Sequence, residues 1–143
     1  MKNPREKFSH VISDNGWSDA LFDHKAVTFD PLSMSLAIPI NTLVKKPGEM
    51  EVPFYQHESK LYVVQTDSRK GFLEFGFLSI KQSTEEQDNN IGNSTTIWPF
   101  AENVLRSIFA EDYVYAIGTE GITVAKVKNL SIPVAKLAFS EKN

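Results

Sequence analysis

The chain has 143 residues, of which 41% are hydrophobic and 23% charged, and its formal net charge is −3. This length is enough for one soluble domain with a real core, and the weakly acidic balance gives no basic field for nucleic acid or anionic lipid. Cysteine is absent, which excludes disulfides, thiolate metal sites and cysteine nucleophiles. No apolar run approaches the length of a membrane span, and no apolar export-signal region follows the charged N-terminus.

The first quarter of the chain is polar with scattered apolar residues. Residues 7–13 are a candidate strand, and Asp14-Asn15-Gly16 predicts a turn because Asn and Gly tolerate positive φ. From Lys25 onward apolar and polar residues alternate, which is typical of a half-buried strand. Val27 and Phe29 are therefore predicted to share one face of a strand.

A second short strand is predicted over residues 36–40, after a turn at Asp30-Pro31. Its apolar side chains fall on one face by the same alternation. Pro39 has no N–H to donate to a ladder, so we expect this strand to lie at a sheet edge or to end there. A loop with a turn at Pro47-Gly48 follows.

Two further strands are predicted in the middle of the chain. Residues 61–66 are rich in β-branched and aromatic side chains, and residues 72–80 place three apolar side chains on one face. The polar stretch between them is typical of a hairpin connection. Gly76 lies inside the second strand and predicts a β-bulge or a close backbone approach.

The next part of the chain has a weaker pattern. Residues 81–100 begin with a long polar stretch and are predicted to form an exposed loop. Residues 99–112 permit two interpretations, a helix or a strand over residues 104–109, and the local pattern alone slightly favours the helix. The residues with helical spacing are Val104, Leu105, Ile108 and Phe109.

Three C-terminal strands have a clearer pattern. They are predicted at residues 113–117, 122–127 and 132–139, and turns rich in Gly, Asn and Ser separate them. Pro133, near the start of the last strand, again indicates a sheet edge.

The predicted strands fall into two groups of four, over residues 24–80 and 104–139. Each group is a meander with turns between consecutive strands. Short strands at near-regular spacing indicate an all-β sandwich, a barrel or propeller blades. A repeated four-strand unit is the format of a β-propeller, in which one unit cannot bury both of its faces alone.

A resemblance to a known family supports the propeller. Residues 18–30 resemble the motif Ser-x-x-Leu-Tyr-Asp-His-Lys-Ala-Phe-Leu-Phe of a family of secreted bacterial and archaeal proteins. These proteins have a C-terminal β-propeller domain distantly related to WD40 repeats. Here Phe22 stands for the Tyr and Val27 for the Phe, and Ile38-Pro39-Ile40 matches an Ile-Pro-Val in the next strand. Residues 105–124 resemble the closing blade of the family, which favours a strand over a helix at 104–109.

The resemblance covers residues 16–139 and implies a single propeller segment over residues 1–143. We expect a first blade at about 16–80, the exposed loop at 81–100 and a second blade at about 101–140. Propellers usually close with four to eight blades, so two blades are expected to form a partial propeller with uncovered edges and an uncovered apolar face. A protein partner or self-association would then complete the ring, and the resemblance implies an extracellular or cell-envelope location.

Four residues are candidates for binding. Asp23 and His24 form an Asp-His pair, which can bind metal or act in acid–base chemistry. We favour the structural alternative, in which both cap the entry to a strand, because a lone His needs convergent partners to form a site. Trp17 and Trp98 flank strands, where an exposed ring suits a partner or a glycan and a buried ring packs between blades.

No catalytic signature accompanies these residues. The sequence contains no nucleophile elbow, phosphate loop or dinucleotide fingerprint, so no catalytic residue, metal ligand or cofactor is assigned. We predict a scaffold or protein-interaction module of an exported protein, without a nucleic-acid partner. Two alternatives stay open, because fold does not fix function. One is a propeller hydrolase or lyase whose site lies in blades outside this chain, and the other is a metal-binding module around Asp23 and His24.

Overall fold

The computed structural model describes residue 3 and residues 5–13, 15–46, 54–80 and 103–139. These residues form two antiparallel sheets and two short 3₁₀-helices, Asp19–Leu21 and His24–Ala26. The predicted all-β class of antiparallel four-stranded meanders is confirmed. The exposed loop predicted over residues 81–100 lies outside the described residues.

Sheet 1 is formed by the N-terminal half of the chain. Its strands are β1 (Gly16–Trp17), β2 (Thr28–Asp30), β3 (Ser35–Lys46), β4 (Phe54–Asp67) and β5 (Gly71–Ser79). β3 pairs with β4 and β4 pairs with β5, while the short strands β1 and β2 both pair with the other side of β3. The sheet is therefore four strands wide, with β1 and β2 sharing one position.

β3 does not end at Pro39, but the expected edge position is confirmed locally, because no strand pairs with β3 on one side of this residue. The residues before it pair with β2 and residues 41–42 pair with β1, so Pro39 lies in the gap between these two partners. Its carbonyl accepts a hydrogen bond from Ser18 Oγ in that gap. In an antiparallel strand the backbone N and C=O of one residue point to the same side. The nitrogen of Pro39 therefore also faces the gap, and its lack of an N–H removes no hydrogen bond to β4.

Gly76 forms the predicted bulge in β5. Val63 pairs with Gly76 and Val64 with Glu74, so Phe75 is the extra residue. Gly76 has a φ of 116°, which an L side chain rarely adopts. A Cβ placed there would have no atom within 4 Å, so the bulge and not a close approach explains the glycine.

Sheet 2 is a meander of the four C-terminal strands. The predicted strand around residues 104–109 is confirmed, and the local helix pattern was wrong. A bulge between Val104 and Arg106 breaks the period-two alternation, which explains why the apolar spacing resembled that of a helix. The strands, in the order of the sheet, are β6 (Val104–Ala110), β7 (Tyr113–Gly118), β8 (Gly121–Lys126) and β9 (Asn129–Ala138).

The two sheets pack face to face around one apolar core. β5 lies against β8 and β9, while β3 and β4 lie against β6. Both sheets contribute alternate residues, as expected for strands with one face in the core. The buried core side chains are Ala37, Leu61, Val63, Leu78, Ile80, Val104, Val114, Ala116, Ala125, Val127 and Leu130.

Polar side chains also join the two sheets. Thr28 Oγ1 donates to the carbonyl of Ser107 at 2.9 Å and accepts from Ser107 Oγ at 2.9 Å. The N–H of Val104 donates to Ser59 Oγ at 2.9 Å. Ser59 and Ser107 are buried, so these bonds satisfy polar groups whose burial would otherwise be costly.

Residues 5–13, which we call the N-terminal strap, cross the other face of sheet 1. The prediction of a strand over residues 7–13 is wrong, since none of them pairs with another strand in a β-ladder. Ile12 packs against Ile40, Tyr62 and Val64 on that face. A segment that lies across the face of a sheet, and not beside its edge strand, cannot join the ladder of backbone bonds.

Candidate functional site

Asp23 is held by two hydrogen bonds in the segment before β2. Its Oδ1 accepts from the N–H of Lys25 at 2.9 Å and so caps the 3₁₀-helix His24–Ala26. Its Oδ2 accepts from Arg106 Nη2 of β6 at 2.5 Å. The Lys25 N–H, together with the Arg106 charge, lowers the pKa of Asp23 below its ordinary value. Asp23 therefore joins this segment to sheet 2.

His24 is exposed and begins the short helix. Its carbonyl accepts from the N–H of Val27, whereas the carboxylate of Asp23 is directed to Arg106. Among the described residues there is no group of three or more His, Cys, Asp or Glu side chains placed to hold a metal ion. The contacts of Asp23 are thus those of a capping residue at the entry to β2, which is the role that we favoured from the sequence.

Trp17 lies in β1, which pairs with the middle of β3. Its ring is 5.4 Å from the ring of His57, measured between centroids, with the planes tilted by 39°. Trp17 pairs with Asn41 across the strands. Trp98 lies outside the described residues.

A polar cluster next to Trp17 is a feature that the sequence reasoning missed. Asn41 is only 3% exposed, and it pairs with the buried Ser59 on β4. Within the described part of the chain, no protein partner satisfies Asn41 Oδ1, His57 Nδ1 or Asn103 Oδ1. Such atoms can receive hydrogen bonds from a small donor, because buried polar atoms without a partner are costly. The sequence signal is a polar residue at the core-facing position of β3, which becomes visible only when the register is known.

The outer face of sheet 2, which we call the open face, is the larger candidate. Alternate residues of β6 to β9 enter the core, and the others point to the opposite side. The strands of sheet 1 contact sheet 2 through the core face. The apolar residues of the open face are Ile108, Tyr113, Tyr115, Ile117, Ile122, Val124, Ala135 and Leu137.

The open face has a continuous apolar centre with charges only at its borders. Ile108 pairs with Tyr115, and Tyr115 pairs with Val124, so three strands contribute one apolar row. Arg106 lies on the β6 border of this face, where Asp23 neutralises its charge, and Lys126 lies at the end of β8. The run of apolar residues 113–117 was the signal for this face in the sequence. A strand with one solvated face alternates apolar and polar residues, whereas this run places apolar residues on both faces.

Comparison with known proteins agrees with this architecture. A sequence model described as "Beta propeller domain" matches residues 1–130. The chain belongs to this β-propeller family. No curated protein and no solved structure matches it significantly. In the described part of this propeller chain, no helix is long and apolar enough to cross a membrane.

Proposed function

We propose that this β-propeller chain is a non-enzymatic module of an exported protein and that it binds a protein partner or a second copy through the open face. The proposal rests on one observation, the apolar centre of that face. Ile108 is 52% exposed and Leu137 is 61% exposed. The largest contiguous apolar patch on a soluble protein is often a functional surface.

The size of the open face indicates how strongly it can bind. Four strands about 4.8 Å apart, with about six residues of about 3.4 Å each, give roughly 400 Å² in projection. A standard interface buries about 800 Å² on each partner. The open face alone therefore supports weak, concentration-dependent association, and a tight complex needs contacts at its borders.

A second β-sheet is the partner that this surface fits best. Pleated sheets pack about 10 Å apart with interdigitating apolar side chains, as the two sheets of this chain do. Propeller repeats cover their faces in this way, by stacking on neighbouring repeats.

The predicted binding residues Asp23 and His24 remain part of this proposal as border contacts. The ion pair of Asp23 with Arg106 lies at the border of the open face, and His24 is exposed beside it. Trp17, which is 42% exposed, lies in sheet 1 and not on the open face, so it stays a separate binding prediction. A polar border around an apolar centre is the usual anatomy of a protein interface. Trp98, outside the described residues, stays a prediction.

The proposal is tested by sedimentation velocity over a range of about 10 µM to about 1 mM, where weak association is detectable. We expect the mass of the wild-type chain to rise with concentration. The double variant Ile108→Lys/Leu137→Lys should stay monomeric, because two ammonium groups would lose their hydration in the interface. Leu32→Lys is the matched control, since Leu32 is 95% exposed in the turn after β2. A wild-type chain that stays monomeric and melts sharply at the highest concentration would contradict self-association.

Export is the second part of the proposal, and the resemblance of residues 18–30 to secreted proteins supports it. Immunodetection after cell fractionation of the source organism measures it directly. We expect the protein in the medium or the envelope fraction. Recovery from the cytosol alone would contradict export and leave the open-face experiment unaffected.

A further inference from the structure

The N-terminal strap lies on the outer face of sheet 1, where its alternate side chains contact an apolar strip that we call the groove. Phe8, His10 and Ile12 contact the sheet, while Val11 between them is 73% exposed. This alternation is that of an extended peptide. The strap therefore displays the side-chain pattern that the groove accepts, Phe-x-His-x-Ile.

Each of the three side chains has its own contact. The ring of Phe8 lies over Gly71, so close that a Cβ on that glycine would be 2.9 Å from it. His10 Nε2 is 2.8 Å from the hydroxyl oxygen of Tyr62, and the two rings are stacked with centroids 5.9 Å apart. Ile12 packs on the buried cluster that includes Tyr62.

The strap is held without backbone pairing to the sheet. Among the described residues, no backbone–backbone hydrogen bond involves residues 5–13. The Lys7 ammonium donates to the carbonyl of Ser68, which anchors one end of the strap. Because side chains alone hold the strap, it can leave without breaking the ladder of sheet 1. Its departure would expose the groove floor, which consists of Leu36, Ile38, Ile40, Tyr62 and Val64.

The strap does not fill the groove at its Ile12 end. A pocket of about 120 Å³ remains beside that side chain. A larger apolar side chain at this position would occupy space that Ile12 leaves empty, and buried apolar atoms are a direct gain in affinity. The pocket is lined by Ile12, Ser13, Ile40, Thr42, Lys60 and Phe77.

We propose that this groove binds an extended peptide segment of another protein, which replaces the strap. The segment carries an aromatic residue at the Phe8 position, a hydrogen-bonding ring at the His10 position and a side chain larger than isoleucine at the Ile12 position. The strap of a second copy is a poor competitor, because it makes the same contacts as the tethered strap without its local concentration.

The covalent attachment of the strap determines how much it weakens the binding of a competing peptide. A short flexible linker gives the strap a local concentration of about 1 mM. If the strap bound with a Kd of about 100 µM, the groove would be free in about one chain in eleven, and the apparent Kd of a competing peptide would rise about elevenfold. A loosened strap removes this penalty.

The experiment measures fluorescence anisotropy of labelled peptides with the full chain. The probes are the strap peptide of residues 5–13 and the same peptide with Ile12→Phe. The double variant Phe8→Ala/Ile12→Ala loosens the strap within the chain. We expect this variant to bind the strap peptide about tenfold more tightly than the wild type does, and both chains to prefer the Ile12→Phe peptide.

The controls distinguish specific binding in the groove from nonspecific binding to exposed apolar residues. A chain with Leu21→Ala/Phe22→Ala, both exposed residues outside the groove, should bind like the wild type. Equal affinity of the wild-type and loosened chains overturns the proposal. So does equal binding of a peptide that itself carries Phe8→Ala/Ile12→Ala. A wild-type dimer that dissociates on addition of the strap peptide overturns the choice of partner, because the strap of a second copy would then occupy the groove.

A second measurement covers the case in which the loosened chain does not fold. The Ile12→Phe peptide, added to the wild-type chain at about 1 mM to match the local strap concentration, should shift the NMR signals of Tyr62 and Phe77. The signals of Ile108 on the open face should not move. Absence of shifts at Tyr62 and Phe77 overturns the proposal, and so do equal shifts at Ile108.

Discussion

Substitution of Gly71 by Ala tests the seating of the strap through two separable effects. Gly71 begins β5 with a φ of 85°, where an added Cβ costs about 1–2 kcal/mol. The same Cβ would lie 2.9 Å from the ring of Phe8, so the ring must move. Phe8 is 38% exposed, so more than half of its surface is buried. Loss of part of that burial adds about 1 kcal/mol, for a total of about 2–3 kcal/mol.

The two effects separate in a double-mutant cycle. In a Phe8→Ala chain no ring is displaced, so Gly71→Ala should cost only the backbone strain of about 1–2 kcal/mol. The coupling energy between the two positions is then about 1 kcal/mol. Urea denaturation of the wild type, both single variants and the double variant gives the four free energies of unfolding. A coupling below about 0.3 kcal/mol, which is the scatter of additive pairs, would refute the contact between Phe8 and Gly71.

Two further predictions concern the core and acid stability. Leu61→Ala in the core between the sheets should lower the free energy of unfolding by about 2–5 kcal/mol, whereas Leu32→Ala should change it by less than about 0.5 kcal/mol, as chemical denaturation will show. Hydrogen bonds from Ser33 lower the pKa of Asp30, and the N–H groups of Lys70 and Arg69 lower the pKa of Asp67, from the ordinary 3.8. The stability that these carboxylates contribute is present above about pH 3.8 and is lost as the pH falls through their folded pKa values. Urea midpoints at pH 5 and pH 3 should differ less for Asp67→Asn, and an unchanged difference would contradict this assignment.

Local patterns in the sequence determined much of this β-propeller chain. Alternating apolar residues located most strands, because each strand must place one face in the core. Turn chemistry was equally local. The side chain of Asp67 accepts from the N–H of Arg69 and of Lys70 within the turn between β4 and β5, which needs no distant residue. Gly76 likewise indicated its bulge without any distant residue, because the positive φ of this position favours glycine.

The tertiary structure decided what depends on partners far along the chain. Pairing with β7 and burial of Val104 made residues 104–110 a strand, although a bulge gave them helical spacing. The strap looked like a strand because its side chains alternate, but it meets the face of sheet 1 and not an edge, so no ladder forms. The partner of the Asp23 carboxylate was also out of reach of local patterns, because Arg106 lies 83 residues later in the chain. Local chemistry sets the turns and most of the strands, whereas strand pairing and the packing of the two sheets decide the segments with an ambiguous pattern and which faces are covered.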